Sequence, residues 1–429
     1  MKGGGFLREF LGIANLLLFI FFTVLYSYQL VYVFVSLFGE MKKFSSKKNH
    51  KYGVLIAARN ERVVIAQLIE SIRKQKYPAE LVDIYVIADN CTDDTADVAR
   101  DAGATVFCRN DLSKIGKGYA LNFGFTKLKE IGKFSEYDGF MVFDADNLLD
   151  ENYIAEMNKL FDSGYRAVTS YRNTKNYDTN WISAGSSLWF LREAKFINRP
   201  RMILKTSCAI SGTGFLVARE IIEERNGWNY YLLTEDIQFS IDSVVENEKI
   251  GYAENAVLYD EQPYTFKVSW NQRIRWAKGF LQVTGKYGFK LFLSIFKNRS
   301  FASYDMLMTI VPAMMVSLMG ALLNSGVLIY ALISDMSKLA KLSGIALFMT
   351  FFNFYMILLF FAAITTYTEW YKINAPKKKK IKYIFTFPIF IFTYIPLSIA
   401  AIFKKIEWKP IDHNIAKNID EMKSEANQG

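Results

Sequence analysis

Four stretches of the chain carry no charged side chain: residues 10–39, 306–334, 342–368 and 383–403. A helix needs about 20 apolar residues to cross the hydrocarbon core, so each run is long enough to span a bilayer, the last only just. Pro388 and Pro396 interrupt the hydrogen bonding of that last run and set it apart from the others. The first run is too long for a cleaved signal peptide and meets no small-residue cleavage site before the lysines that follow, so 10–39 reads as a retained transmembrane anchor.

Between the first and second runs the pattern changes period. Over 51–287 short β-branched runs alternate with helical stretches, which predicts a layered α/β domain. Strands are expected at 54–58, 83–88, 104–109 and 140–143. Helices are expected at 61–75, from the polar turn after Asp89 to Gly103, and from the glycine-bearing loop 114–118 onward. The second half is less regular, with strands at 166–171 and 214–218 around a Trp-rich helix at 181–195, then helices at 234–245 and 267–286. A Lys/Phe mixture at 288–303 suits an amphipathic interface helix. The segments 306–334, 342–368 and 383–403 then form a C-terminal membrane region within 304–403, and 404–429 is a tail.

Composition sharpens this division. Half of the 429 residues are apolar and 22% are charged, and the net charge of +10 is concentrated beside the apolar runs. Lys42, Lys43, Lys47, Lys48 and Lys51 follow the first run, which by the positive-inside rule puts the α/β domain in the cytoplasm; Lys377 to Lys380 agree. Membrane topology and anionic lipid account for the basic excess, so no nucleic-acid partner is expected. Four crossings would place the C-terminus outside, against Lys404, Lys405 and Lys409. Either 383–403 is re-entrant, or a long run hides a second crossing, or the charge rule fails here. Cys91, Cys108 and Cys208 have no metal-like spacing and read as free thiols. With only His50 and His413, a zinc site or a serine–histidine hydrolase is poorly supported.

The acidic residues carry the chemistry. Asp144 and Asp146 flank Ala145 at the end of an expected strand, the edge where open α/β sheets bind ligands, and a carboxylate pair there can hold a divalent cation against a diphosphate. A solvated acidic loop is the plain alternative. Asp89 ends the second strand, where it can meet a base or ribose, and Glu61 follows the first; Asp89 as a turn residue and Asp93 as a helix cap compete with this. Lys117, between Gly116 and Gly118, can reach phosphate oxygens. Thr234-Glu235-Asp236 opens a helix and supplies a carboxylate for general base work, or else a capping box. Gln272, Arg275 and Trp276 share one helix face, joining an amide, a phosphate-binding guanidinium and a plate for a sugar ring; an interfacial amphipathic helix is the alternative.

In order along the chain, Ala58-Arg59-Asn60-Glu61, Asp89 with Asp93-Asp94-Thr95, Lys117 with Ala120-Leu121-Asn122, Asp144-Ala145-Asp146, Thr234-Glu235-Asp236 and Gln272-Arg273-Ile274-Arg275-Trp276 resemble the membrane-bound processive branch of glycosyltransferase family 2. That branch includes cellulose, chitin, poly-N-acetylglucosamine and hyaluronan synthases. The resemblance covers 51–287 and implies a Rossmann-like GT-A domain inserted between transmembrane helices, a UDP-sugar donor, Mg²⁺ or Mn²⁺, inversion to a β-linkage and export through the membrane region. On it, Asp236 is the base; Glu61, Asp89, Lys117, Asp144, Gln272 and Arg275 hold the donor; Asp144 and Asp146 hold the metal. Ser211 and Gly212, with Glu235 and Trp276, fall on the acceptor side, although Ser211-Gly212-Thr213-Gly214 departs from the Cys-Gly pattern of cellulose synthases.

The expectation is therefore a multi-pass cell-membrane enzyme that polymerises glucose or N-acetylglucosamine from its UDP-sugar onto a growing glycan, among membrane lipids. Transfer of a single sugar to a lipid or cell-wall acceptor uses the same residues. An inactive sugar-nucleotide-binding or pore-forming subunit is the non-enzymatic alternative.

Overall fold

A computed structural model describes residues 2–311, 313–407, 410–411 and 413–422. Lys409 and the end of the expected tail lie outside the described residues. The soluble domain is built on β1 (Tyr52–Ala58), β2 (Val82–Asp89), β3 (Thr105–Arg109), β4 (Gly139–Asp144), β5 (Leu148–Leu149), β6 (Ala167–Thr174), β7 (Phe215–Ala218) and β8 (Ile250–Asp260). They form one sheet in the order β3-β2-β1-β4-β7-β6-β8-β5.

β1 pairs in parallel with both β2 and β4, and β2 with β3. A strand flanked on both sides in this way sits under helices on both faces, which is why β1 and β4 read as continuous apolar runs: Val54, Leu55, Ile56, Met141 and Val142 are fully buried. β7 runs antiparallel to β4 and to β6, while β6 and β8 run parallel. The carboxyl ends of β1, β2, β4, β6 and β8 and the amino end of β7 therefore share one sheet edge. The direction of connection reverses between β2 and β4 on either side of β1, and such a switch point opens a crevice.

β5 and β8 were not foreseen. β8 pairs with β6 in two registers, Ser170 with Ala253 and then Tyr171 with Val257, so Glu254, Asn255 and Ala256 bulge out of the ladder. That three-residue insertion, two of its residues polar, breaks the alternation by which a strand is recognised. The helix expected at 267–286 runs without a break from Phe266 to Lys297, with Thr265 capping it through Val268 N. The amphipathic stretch is thus the end of that helix, followed by a separate helix Phe301–Ile310.

Among the described residues three helices are long and apolar enough to cross a membrane, Gly5–Phe38, Ser337–Thr368 and Lys377–Phe403, with a shorter apolar helix at Met319–Ile333. Asn15 and Asn324 exchange side-chain hydrogen bonds of 3.0 and 2.7 Å between the first helix and Ala313–Ile333. A buried cluster ties the domain to this region. Arg201 donates twice to Asp305, at 2.7 and 3.0 Å, and Tyr28 and Tyr32 donate to the same carboxylate.

Both ends of Lys377–Phe403 touch the soluble domain. Lys379 Nζ donates to Asp178 O at 2.8 Å, and Lys278 Nζ donates to Ala401 O at 3.0 Å. The segment breaks at Thr393, whose Oγ1 accepts from Arg273 NH1 at 2.6 Å. Pro396 lies in the first turn of the second half, where its missing N–H costs nothing.

Candidate active site

Every residue singled out from the sequence for donor, metal, acceptor or base lines one cavity of about 1240 Å³ at the shared sheet edge: Glu61, Asp89, Lys117, Asp144, Asp146, Ser211, Gly212, Glu235, Asp236, Gln272, Arg275 and Trp276. The strand ends explain this, because β1, β2 and β4 deliver Glu61, Asp89 and Asp144 side by side. Asn60 and Asn90 adopt left-handed φ of 59° and 54° just past β1 and β2, a conformation asparagine tolerates well. Asn60 Oδ1 accepts from Thr92 N at 2.8 Å, so the two loops brace each other. Asp93 takes its hydrogen bonds from Thr95, as a turn residue.

Lys117 Nζ donates to Asp144 Oδ1 at 2.5 Å and to Gly212 O at 2.8 Å. Its neighbour Gly118 lets the Tyr230 carbonyl come so close that a Cβ would stand 1.8 Å from the oxygen. This approach sets the loop leading to Thr234-Glu235-Asp236 against Lys117. The Thr234 side chain makes no capping bond, so the capping box is not formed. Glu235 and Asp236 are buried at the amino end of helix Glu235–Val245, and Asp236 Oδ2 accepts from Gly212 N at 2.6 Å. Burial pushes Glu235 up to about 7, with the neighbouring Asp236 charge adding to it, and burial raises Asp236 as well.

Asp89 Oδ1 accepts from Arg109 at 2.5 Å and Asn90 at 2.9 Å, which leaves Oδ2 without a partner among the described residues. Arg275 has no hydrogen-bond or ion-pair partner among them either, and burial lowers its affinity for its proton in spite of Glu235, Asp144 and Asp236 nearby. A guanidinium left unpaired on a cavity wall is poised for an anionic ligand. Trp276 meets Phe190 edge to face, with ring centroids 6.0 Å apart.

Asp146 accepts from Glu261 N at 2.9 Å. Burial opposes its charge, but His413, Lys175 and that N–H outweigh it and hold the carboxyl below the ordinary range. His413 itself resists charging through burial, yet Asp146 and Glu61 push it up to about 10. Arg172, bonded to Asp260 and to Ser211 O, completes this side. His413, Arg172, Asp260 and Glu261 were missed from the sequence. The only signal was that His413 is one of two histidines.

Among the described residues no three His, Cys, Asp or Glu side chains converge closely enough to hold a metal unaided. Asp144 and Asp146 nevertheless present hard oxygens to one cavity, the donor set Mg²⁺ or Mn²⁺ takes when substrate phosphates fill its other positions, and so they fit such an ion.

Residues 50–279 match the family model described as "Glycosyltransferase like family 2". The chain is 28% identical over 263 residues to the probable glycosyltransferase YdaM of Bacillus subtilis, covering 56% of this chain and 58% of that protein. It is 26% identical over 235 residues to beta-monoglucosyldiacylglycerol synthase of Synechocystis sp., covering 53% and 47%. Against poly-beta-1,6-N-acetyl-D-glucosamine synthase of Staphylococcus aureus it is 26% identical over 255 residues, covering 58% of each. The chain thus spans about half the length of the curated relatives it matches. In fold it is similar to the mannosyltransferase PcManGT of Pyrobaculum calidifontis, solved with GDP-Man and Mn²⁺, with a TM-score of 0.56 at 14% identity over 92% of this chain and 99% of that one. The domain has the GT-A fold, the family match covers more than half of the chain, and the chain therefore belongs to glycosyltransferase family 2 and is a glycosyltransferase.

Proposed function

We propose that the chain is an inverting, metal-dependent transferase that takes glucose or N-acetylglucosamine from its UDP-sugar and passes it to an acceptor entering from the membrane. One observation carries this reading. The cavity that holds Asp144, Asp236 and Arg275 continues without a partition to Thr350, Tyr394 and Ser398 on the apolar helices.

In this scheme Asp89 and Glu61 hold the nucleoside, and Lys117, Arg275 and Gln272 take the diphosphate. When bound, the divalent ion on Asp144 and Asp146 neutralises the leaving diphosphate. Asp236, steadied by Gly212 N–H, accepts the acceptor hydroxyl's proton as that oxygen attacks the anomeric carbon from the face opposite the phosphate. The bond from the anomeric carbon to the phosphate oxygen breaks, the nucleoside diphosphate leaves, and the linkage is inverted. Trp276 and Ser211 line the acceptor side.

The membrane half of the cavity favours a lipid-borne acceptor, because Leu18, Phe22, Met349, Phe354 and Phe361 form its walls. An acyl chain gains from such walls and a bare polysaccharide does not. The relative that makes monoglucosyldiacylglycerol agrees with that reading. A growing glycan is the second reading, favoured by Asn15, Thr350, Asn353 and Ser398 on the same walls and by the poly-N-acetylglucosamine synthase relative.

In this reading the domain lies on the cytoplasmic side of the cell membrane in a multi-pass chain, as the lysines beside the apolar runs favour. The contacts at both ends of Lys377–Phe403 favour a re-entrant segment, which keeps Lys404 and Lys405 with the domain and removes the conflict in the charge rule. The test is to offer purified protein a panel of UDP-sugars with Mg²⁺ or Mn²⁺ in lipid and measure UDP release. Release that needs both metal and lipid supports the reading; release indifferent to metal, or none with any sugar, defeats it.

A further inference from the structure

Helix Trp181–Glu193 lies between the sheet and the membrane helices and passes at its end into a π-helical turn, Ala194–Asn198. Such turns are rare and recur at functional sites. Trp189, Arg192, Glu193 and Ile197, on either side of the junction, all line the cavity. None of the four has a part in the scheme above.

Arg192 stands where the cavity passes from polar to apolar walls. Its guanidinium lies over the rings of Phe361 and Trp189, 4.9 and 5.5 Å from their centroids, and its NH2 donates to Gln29 Oε1 on the first membrane helix at 3.3 Å. Those contacts use one N–H of the guanidinium fork and no anion. Among the described residues Arg192 forms no ion pair, unlike Arg172 and Arg201 on the same walls, which hold Asp260 and Asp305. Arg275 has the donor diphosphate. A cation on an apolar wall costs free energy until an anion meets it, so Arg192 calls for a second anion that the donor does not supply.

Glu193, next in the chain, joins this cation to the base. Ser211 Oγ donates to Glu193 Oε2 at 3.4 Å, and Gly212 N donates to Asp236 Oδ2 at 2.6 Å. Along one wall there follow a guanidinium, a carboxylate and hydroxyl that can hold polyol groups, and the general base. A diacylglycerol brings no anion for Arg192. A lipid whose phosphate is itself the nucleophile attacks through an oxygen already ionised at neutral pH, and so brings no proton for Asp236.

We propose that the acceptor is a phospholipid with a polyol headgroup, of the phosphatidylglycerol type, and that Arg192 with Gln29 selects it by holding its phosphate diester. A headgroup hydroxyl gives its proton to Asp236 as its oxygen bonds to the anomeric carbon, and the nucleoside diphosphate leaves with the electrons of the broken bond. Arg192 touches no reacting atom and acts on specificity. The proposal rests on the lipid-acceptor reading above.

The test uses full-length protein in phosphatidylcholine nanodiscs with Mn²⁺, radiolabelled UDP-glucose or UDP-N-acetylglucosamine, and phosphatidylglycerol, phosphatidate or diacylglycerol as the added lipid. Phosphatidylglycerol should take the label with a kcat/KM at least about tenfold above diacylglycerol, the scale of one hydrogen bond to a charged group. Phosphatidate, which has the phosphate without the polyol, should take no label and should compete with phosphatidylglycerol. Glycerophosphoglycerol, the headgroup without acyl chains, should be a poor acceptor; one as good as the lipid would make the anion a soluble one and overturn the proposal. Arg192→Gln should cut the preference for phosphatidylglycerol over diacylglycerol at least about tenfold and remove the competition by phosphatidate, with Arg192→Lys restoring part of both. A merely structural Arg192 would lower both acceptors alike and leave the preference standing, which overturns the assignment. If Arg192→Gln fails to fold, wild type still decides, since equal or better use of diacylglycerol defeats the headgroup claim alone. Label found only in a lipid-free glycan defeats the lipid-acceptor reading itself.

Discussion

Asp236 Oδ2 accepts the backbone N–H of Gly212 at 2.6 Å, which fixes a buried carboxylate beside the loop that also gives its carbonyl to Lys117. A carboxylate held this way can receive a proton without reorganising. Asp236→Asn keeps the shape and removes the base, so turnover should fall by about 10²–10⁴-fold with donor binding retained. Calorimetry with UDP beside the rate assay separates the two, and an unchanged rate would remove Asp236 from the mechanism.

The acid limb of the pH profile follows from the same pair. Burial pushes Glu235 up to about 7 and raises Asp236, so the pair gains a proton as pH falls below neutrality. Only the ionised pair serves as base, and kcat/KM should fall about tenfold per pH unit on the acid side. Glu235→Gln deletes the like charge and should move this limb to lower pH. A profile flat from pH 5 to 8 contradicts the assignment.

Among the described residues Arg275 has no hydrogen-bond or ion-pair partner on the cavity wall, which leaves its charge for the diphosphate. Arg275→Ala should cut kcat by about 10²–10³-fold, the scale seen when one preorganised donor to developing charge is removed. Arg275→Lys should recover only part of this, since an ammonium lacks the planar fork. Full rescue by lysine would mean that charge alone matters there.

Arg201 and Asp305 form a bidentate pair that is 2% and 1% exposed, so neither charge has water to fall back on. Asp305→Asn leaves Arg201 buried and uncompensated and should destabilise the junction of domain and membrane helices by about 3–5 kcal/mol. A lowered midpoint in thermal unfolding checks this. Replacing both residues by apolar ones should cost much less.

The edge of the sheet was legible because β-branched runs mark β1, β2 and β4; β2 and β4 end on Asp89 and Asp144, and Glu61 follows the end of β1 by three residues. Helical spacing put Gln272, Arg275 and Trp276 on one face, and the family resemblance, not the spacing, turned that face toward the cavity they line. The opposite wall was not. Asp260 and Glu261 end β8, a strand hidden by the bulge at Glu254, Asn255 and Ala256 and by pairing with the distant β6. His413 arrives from a tail with no hydrophobic period, and its place is set by hydrogen bonds to Glu261 and Glu61, more than 150 residues away in sequence. Such contacts between residues remote in the chain leave no local pattern to read. The last apolar run shows the same limit, since its contacts with Asp178 at one end and Lys278 at the other join residues remote in the chain.

A nucleotide-sugar site that opens into an apolar, membrane-facing cavity should pass its sugar to a lipid-borne acceptor. Purified protein in nanodiscs of its own lipids, given radiolabelled UDP-glucose or UDP-N-acetylglucosamine with Mn²⁺, tests this most directly. Label should appear in an organic-soluble product bearing one added sugar, with one UDP released per sugar transferred, and Asp236→Asn should abolish both. Label recovered only in a water-soluble or insoluble polymer free of lipid, or sugar released to water with no acceptor product, would contradict it.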